Sequence, residues 1–273
     1  GMWKDKRTQK NLSSLRESSF HQIGPNEGDQ ACGDIGPGRM SEPKEIIQEV
    51  AKEFSSGLLA GKKVLITAGP TREKIDPVRY ISNKSSGKMG FSLAKAAVGE
   101  SAIVTLISGP VTLETPERVH RIDIESAEEM REKVIENLSD IDLFISTAAV
   151  ADFKMKNAKS QKIKKDQSKS MSLQLEKNED ILKLVSKNNP ELKIVGFAAE
   201  TENMIDNARK KLSSKNLNLI VANDVSDSSI GFDSNNNEVT LITEKEELNI
   251  PKTSKEKVAR KIVQFISKNV LDD

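Results

Sequence analysis

GKKVLITAGPTREKIDPVRYISNKSSGKMG, residues 61–90, is the stretch on which the fold turns. It begins with a short apolar, β-branched run, Lys63–Ala68, of the kind buried on both faces of a parallel sheet. The run stops at a Gly69-Pro70 turn, and the stretch ends in Ser85-Ser86-Gly87-Lys88, residues suited to opening a helix. Strand, loop and helix make the first beat of an α/β alternation. Runs of the same type recur at 103–107, 142–147, 194–198 and 217–222. Helical stretches separate them. One starts near Lys88, one at 126–138 carries Ala127, Met130, Val134 and Leu138 on a single face, and one runs from about 202 to 212. This rhythm implies a Rossmann-like, doubly wound, mostly parallel sheet whose ligands sit beyond the carboxyl ends of its strands.

Toward the C-terminus the rhythm breaks. Residues 238–243 and 247–250 flank Glu244-Lys245-Glu246 and read as an appended β-hairpin, after which Val258, Ile262, Phe265 and Ile266 stripe a closing helix. Toward the N-terminus, residues 44–56 place Ile46, Ile47, Val50 and Phe54 at helical spacing behind Ser41 and Pro43. Residues 1–43 are rich in Gly, Pro, Ser and charge, show no sustained period, and read as an irregular segment. Two parts are therefore expected, 1–58 and 59–273. Gly1 ahead of Met2 reads as the remnant of a removed tag, and the chain as a piece of a longer polypeptide.

Composition narrows the function. Apolar residues make up 36% of the 273 and charged residues 30%, the balance of a soluble globular protein. With 42 Lys plus Arg against 41 Asp plus Glu there is no global field to attract nucleic acid or a membrane, so an anionic ligand needs a local cluster. The lone cysteine, Cys32, excludes an internal disulfide framework and fits a reducing cytoplasm. No apolar run approaches the length of a membrane span, and the N-terminus lacks the apolar core of a signal peptide. His21 and His120 have no metal-ligand spacing around them.

Several constellations follow predicted strand ends. Gly69 opens GPTRE (69–73), which is a turn on any reading; the G-x-G-x-x-G of a conventional dinucleotide site is absent there. Ser85, Ser86 and Gly87, with Lys88 beside them, sit at a helix start whose backbone N–H groups and dipole favour an anion, which makes a phosphate site a better reading than an ordinary capped helix. TAAVADF (147–153) offers small residues, Ala148 and Ala149, against which a ligand can lie, and a carboxylate, Asp152, for a ribose hydroxyl or a cation; a helix cap reads equally well. Residues 154–170 hold seven lysines and almost nothing to bury. Such a run is ordinarily a solvated face, but its place straight after Asp152 favours a lid over phosphates. GFAAET (196–201) and ANDV (222–225) fall on the same rim; Phe197 either stacks on a base or fills the core, and Asp224 either supports the ligand-touching residues or contacts a cation. Cys32 lies among glycines in ACGDIGPGRMSEP (31–43), where a thiol is accessible.

GPTREKIDPVRYISNKSSGKMG, AAVADF, KIKK, GFAAET and ANDV, in this order, resemble the bacterial phosphopantothenate–cysteine ligase family, the synthetase half of a bifunctional coenzyme A biosynthesis protein. The resemblance covers roughly residues 61–266. The segment before it looks like the tail of the other half, a flavin-dependent phosphopantothenoylcysteine decarboxylase, and Cys32 matches that half's catalytic cysteine, its proton donor. Lys154-Met155 and Asn178-Glu179 depart from the family pattern, which carries a proline in each stretch.

The resemblance implies a two-step reaction in which a 4′-phosphopantothenate carboxylate attacks the α-phosphate of CTP and the amine of cysteine then displaces CMP. It implies Asn83 and Lys162 as catalytic residues. The nucleotide set it implies is Gly69, Ser85, Ser86, Gly87, Lys88, Ala148, Ala149, Asp152, Phe153, Lys162, Phe197, Lys211 and Lys215. It also implies Mg²⁺ on Asp152, FMN only in the missing decarboxylase part, a homodimer of the ligase domain, and a larger homo-oligomer in the full-length parent. Two rival readings stand beside it: a nicotinamide-dependent reductase on a related sheet, against which the missing glycine fingerprint counts, and a non-catalytic nucleotide-binding partner of a decarboxylase.

Overall fold

The computed structural model describes residues 2–29, 35–53, 57–164, 171–200, 203–224 and 234–271. The chain divides into two compact units, residues 1–56 and 57–273.

In the first unit a turn of 3₁₀ helix precedes α1 (Lys6–Glu17), whose N-terminus is capped by Asp5 accepting from the Arg7 N–H at 2.9 Å. Strands β1 (Asn26–Asp29) and β2 (Ile35–Arg39) pair antiparallel, and α2 (Pro43–Glu53) starts on a proline, the residue whose missing N–H costs nothing at that position. This segment stands apart from the strand–helix alternation, as expected, but contains α1 and a hairpin that the sequence reading did not anticipate. Both are polar, and α1 buries no side chain, so no apolar period announces them. Helix α2 matches the helix expected at 44–56 up to Glu53; Phe54 lies outside the described residues.

The second unit is built on an eight-stranded sheet. In chain order its elements begin with β3 (Lys63–Ala68), the small hairpin β4 (Arg72–Lys74) and β5 (Tyr80–Ser82), then α3 (Lys88–Gly99). They continue through β6 (Ile103–Ser108), β7 (Val119–Asp123), α4 (Ala127–Glu136), β8 (Leu143–Ser146), and a second small hairpin of β9 (Phe153–Met155) with β10 (Leu175–Lys177). The last are α5 (Ile181–Asn188), β11 (Lys193–Glu200), α6 (Met204–Ser214), β12 (Leu219–Asp224), β13 (Asn236–Ile242), β14 (Glu247–Ser254) and α7 (Lys255–Ile266).

Across the sheet the order is β14-β13-β12-β11-β8-β3-β6-β7. The run from β12 to β7 is parallel, while β13 and β14 form the appended antiparallel hairpin. Alternation along β3 explains the layering. Val64 and Ile66 join the cluster that holds Leu93, Ala97, Val258 and Ile262 from α3 and α7, whereas Leu65 joins Met130, Val185 and Leu212 from α4, α5 and α6. Helices thus cover both faces, which is why these strands read as continuous apolar runs. From β3 the chain crosses through α3 to β6 on one side, and β8 lies on the other. The crevice beyond the carboxyl ends of β3 and β8 is therefore a topological switch point.

The elements that the sequence reading missed are short or polar. Edge strand β7 is VHRID and buries no residue fully; α5 spans 8 residues; β4, β5, β9 and β10 span 3 each. No helix among the described residues is long and apolar enough to cross a membrane.

Candidate active site

A cavity of about 550 Å³ opens at this switch point. Its first wall is the start of α3. Gly87 is left-handed (φ 74°), and a Cβ there would sit 3.0 Å from Val111 Cγ1 and 3.5 Å from the Gly69 backbone. Gly90 brings the helix down onto the sheet, for a Cβ would lie 2.5 Å from Ala68 Cβ and 2.6 Å from Thr147 Oγ1. No side chain caps α3, whereas Ser126, Asp180 and Ser254 cap α4, α5 and α7. Its first-turn residues, Lys88, Met89 and Gly90, line the cavity at the positive end of the helix dipole, a place suited to an anion. Ser85 Oγ accepts from the Gly87 N–H at 3.3 Å, Ser86 lines the wall, and Lys88 Nζ donates to Asn235 Oδ1 at 2.9 Å.

The second wall is the loop after β8, laced to the loop after β3. Ala149 N–H donates to Gly69 O (2.9 Å), Ala151 N–H to Thr71 Oγ1 (3.0 Å) and Thr147 Oγ1 to Thr67 O (2.6 Å). Asn83 is part of this lacing: its Nδ2 donates to Val150 O at 2.9 Å, and Nδ2 carries a second hydrogen. Ala148, Ala149 and Asp152 line the cavity here. The third wall comes from α5 and α6. Lys211 stands in the last turn of α6 and Lys215 is its C-cap residue, with Lys215 Nζ paired to Asp180 Oδ2 at 2.8 Å. Burial works to raise the Asp180 pKa, but the Lys215 ammonium and the Lys183 N–H outweigh it and hold the carboxyl below its ordinary range. Phe197 lines the cavity and also packs on the α3/α7 core, which is the core-filling use expected of it.

Eleven of the expected residues thus meet at one cavity: Asn83, Ser85, Ser86, Gly87, Lys88, Ala148, Ala149, Asp152, Phe197, Lys211 and Lys215. Gly69 lies just behind the wall, its carbonyl used by Ala149 and its left-handed φ of 73° required by the turn. Phe153 does not line the cavity; it sits on β9 and is 43% exposed. Lys162 does not line it either. The segment that carries Lys162 is tied to residues 75–79 instead, through Lys159 N–H to Ile75 O (3.0 Å) and Ile163 N–H to Asp76 Oδ2 (3.2 Å). None of the described residues of 154–164 is buried, in keeping with a stretch that has almost nothing to bury, but its first part forms β9 and these tethers. Lys165 and the rest to 170 lie outside the described residues, as do Cys32 and Thr201.

Sequence reasoning missed Asp180 and three further contributors. Asn223, on β12, lines the cavity with its Oδ1 enclosed and without a hydrogen-bond partner among the described residues; ANDV is singled out in the sequence for its aspartate instead. Asn237 (2% exposed) and Lys255 (6% exposed) also line it, but the late hairpin and closing helix carried no motif to single them out. Among the described residues no group of three or more His, Cys, Asp or Glu could hold a metal. Asp152 is nevertheless the kind of single carboxylate that holds Mg²⁺ together with substrate phosphates and water.

Known proteins bear on this geometry. Residues 59–270 match the family described as DNA/pantothenate metabolism flavoprotein C-terminal domain. The chain is 46% identical over 267 residues to the coenzyme A biosynthesis bifunctional protein CoaBC of Vibrio cholerae, covering 97% of this chain and 67% of that one. It is 44% identical over 271 residues to CoaBC of Escherichia coli K12, covering 97% and 66%. It thus spans about two thirds of the length of these relatives. A solved structure of the C-terminal domain of CoaBC superposes with a TM-score of 0.69 at 42% identity, covering 80% of this chain and all of that one. An uncapped helix start, a rim of small residues and paired lysines at a switch point therefore stand in a chain that belongs to the family of the DNA/pantothenate metabolism flavoprotein C-terminal domain.

Proposed function

We propose that residues 59–273 are a phosphopantothenate–cysteine ligase domain that uses CTP, and that residues 1–58 are the tail of a decarboxylase half plus a linker helix. The observation that carries the reading is the preformed cavity at the switch point, lined by the start of α3, by Ala148 and Ala149, and by Lys211 and Lys215. Kinship with proteins named for coenzyme A biosynthesis supports the substrate class. In the first step a carboxylate oxygen of 4′-phosphopantothenate attacks the α-phosphorus of CTP, forming an acyl-cytidylate and releasing pyrophosphate. In the second the cysteine amine attacks the acyl carbon, loses a proton, and releases CMP.

Each wall then has a task. The α3 N–H groups and Lys88 receive phosphoryl oxygens where charge builds, and they cost no reorganisation because the fold already holds them. Lys211 and Lys215 add further cationic charge; Asp180 keeps Lys215 in place until an anion competes for it. Ala148 and Ala149 let the cytosine lie against backbone groups that read its edge. Asn83 keeps one amide hydrogen on Val150 O and directs the other at the developing oxyanion. Asp152 is the residue to hold Mg²⁺ with the phosphates, and bound there the ion would neutralise part of their charge. Lys162 stabilises charge on the departing pyrophosphate. We place the reaction in the cytoplasm, in a homodimer of this domain, with an FMN-dependent decarboxylase half and a larger homo-oligomer in a longer parent.

The test is formation of phosphopantothenoylcysteine from phosphopantothenate, cysteine and either CTP or ATP. A site that hydrogen-bonds one base edge leaves buried polar groups unpaired against the other base, so kcat/KM should favour CTP by roughly 10²-fold or more. Equal values would remove the CTP assignment, and no amide product would remove the ligase reading. Reduction of a carbonyl by NAD(P)H would support the reductase instead.

A further inference from the structure

Asp76 is the most enclosed charged residue among those described, at 2% exposure, and it lies outside the cavity. Its two oxygens do different things. Oδ1 accepts the N–H groups of Val78 and Arg79, both at 2.8 Å, and so closes its own turn. Oδ2 accepts the N–H of Ile163 at 3.2 Å, a residue 87 positions later, and is paired with Arg79 Nη1 at 3.4 Å. Arg79 Nη2 in turn donates to Ile163 O at 3.3 Å. Both backbone polar groups of Ile163 are therefore held by one Asp–Arg pair. The preceding residue, Ile75, holds Lys159 by a backbone hydrogen bond of 3.0 Å. Consecutive residues 75 and 76 thus grip the lysine-rich segment at two points, and Lys162 lies between them.

A turn needs only one carboxylate oxygen to close it. The second oxygen, fully enclosed and assisted by a guanidinium, fixes a distant backbone instead. We propose that Asp76, working with Arg79, is a positioning residue for Lys162: it sets the register at which the lysine-rich segment leaves the domain. The proposal rests on the reading above, in which Lys162 acts on the nucleotide phosphates. Fixing the backbone on either side of Lys162 leaves only its side-chain torsions to be ordered when the anion arrives. A lysine on an untethered run would have to order the backbone as well.

The test is Asp76→Asn, alone and combined with Lys162→Ala. Asparagine keeps an acceptor for the turn but sets an NH₂ against the Ile163 N–H and removes the pairing with Arg79. For pyrophosphate release, kcat should fall roughly 10-fold to 100-fold, the scale of a small misplacement of a reacting group. KM for CTP should move by less than about 3-fold, because the loss is confined to the transition state. The double variant should be no slower than Lys162→Ala alone, since both changes remove the same contribution. An Asp76→Asn chain with wild-type kcat, or one whose defect multiplies with that of Lys162→Ala, would overturn the proposal. A second measurement stands even if the variant does not fold. In the wild-type chain the Ile163 amide should exchange hydrogen more slowly than the flanking amides of Lys162 and Lys164, and equal exchange would overturn the clamp. A wild-type chain that does not ligate would refute the ligase reading, while Ile163 exchange would still decide the clamp.

Discussion

The two ends of the central sheet share the same strands and use polar groups differently. At the amino ends Asp142 and Asn218 close the backbone. Asp142 accepts the Lys63 N–H at 2.8 Å and pairs with Lys62 at 3.3 Å; Asn218 Oδ1 accepts the Ile194 N–H at 2.8 Å. At the carboxyl ends hydrogen bonds lace the loops after β3 and β8 together, but part of the polar equipment is left open. The start of α3 has no side-chain cap, Asn223 Oδ1 has no partner among the described residues, and glycines and alanines keep side chains out of the space. An enclosed acceptor left unsatisfied costs stability, so its presence at one end of the sheet marks the place where a ligand completes the structure. Stability is concentrated at one end and chemistry at the other.

If that division holds, variants at the carboxyl ends should change activity far more than melting temperature. Asn83→Asp should show the largest effect, because it replaces a donor with a negative charge beside an anionic intermediate. Overall ligation is expected to fall by about 10²-fold or more, as on loss of an oxyanion-hole donor. Wild-type turnover in that variant would break the comparison at its strongest point. Next comes Asn223→Ala. It should lower kcat/KM by roughly 10-fold without lowering the melting temperature, since the acceptor it removes has no partner among the described residues. A marked loss of stability would show that Asn223 serves the fold.

The amino ends should behave the other way. The Lys63 N–H and then the Lys62 ammonium, working against burial, hold the Asp142 carboxyl below its ordinary range. A depressed pKa contributes stability that is fully present above the unfolded value, about 3.9, and lost as pH falls through the lower folded value. Asp142→Asn should therefore cost about 1 kcal/mol or less at neutral pH, given the exposure of the pair. The gap from wild type should close on acidification below about pH 4, with kcat unchanged throughout. A gap that persists at low pH would show that the carboxylate charge is not what matters. The smallest effect is expected in the first unit: Cys32→Ser, or removal of residues 1–43, should leave ligation intact. A folded but ligase-dead Cys32→Ser chain would show that the division at residue 58 is misplaced.

How much of this was legible follows the same physical line. Buried parallel strands such as VLITA announce themselves because both faces are covered, and the open helix start announces itself through SSGK. Hence the sheet and eight of the eleven cavity residues could be read from order and texture, while Asn83, Lys211 and Lys215 came only with the family resemblance. What could not be read depends on tertiary pairing. Strand β7 is a half-covered edge whose VHRID lacks a run, and Asn223 matters because its surroundings leave it alone, which no local pattern encodes. The tethers of the lysine-rich run at Lys159 and Ile163 could not be read because they use backbone groups, which any sequence would supply.

The central claim is that the open end of the sheet activates a carboxylate with a nucleotide and holds the product for an amine. Pyrophosphate release from CTP, followed after adding phosphopantothenate with and without cysteine, tests it most directly. Without cysteine the account predicts a burst of about one pyrophosphate per site and then near silence, because a sheltered acyl-cytidylate waits for its acceptor. Adding cysteine should convert the burst into steady turnover. Pyrophosphate release that needs no phosphopantothenate, or none with all three substrates present, would contradict the account.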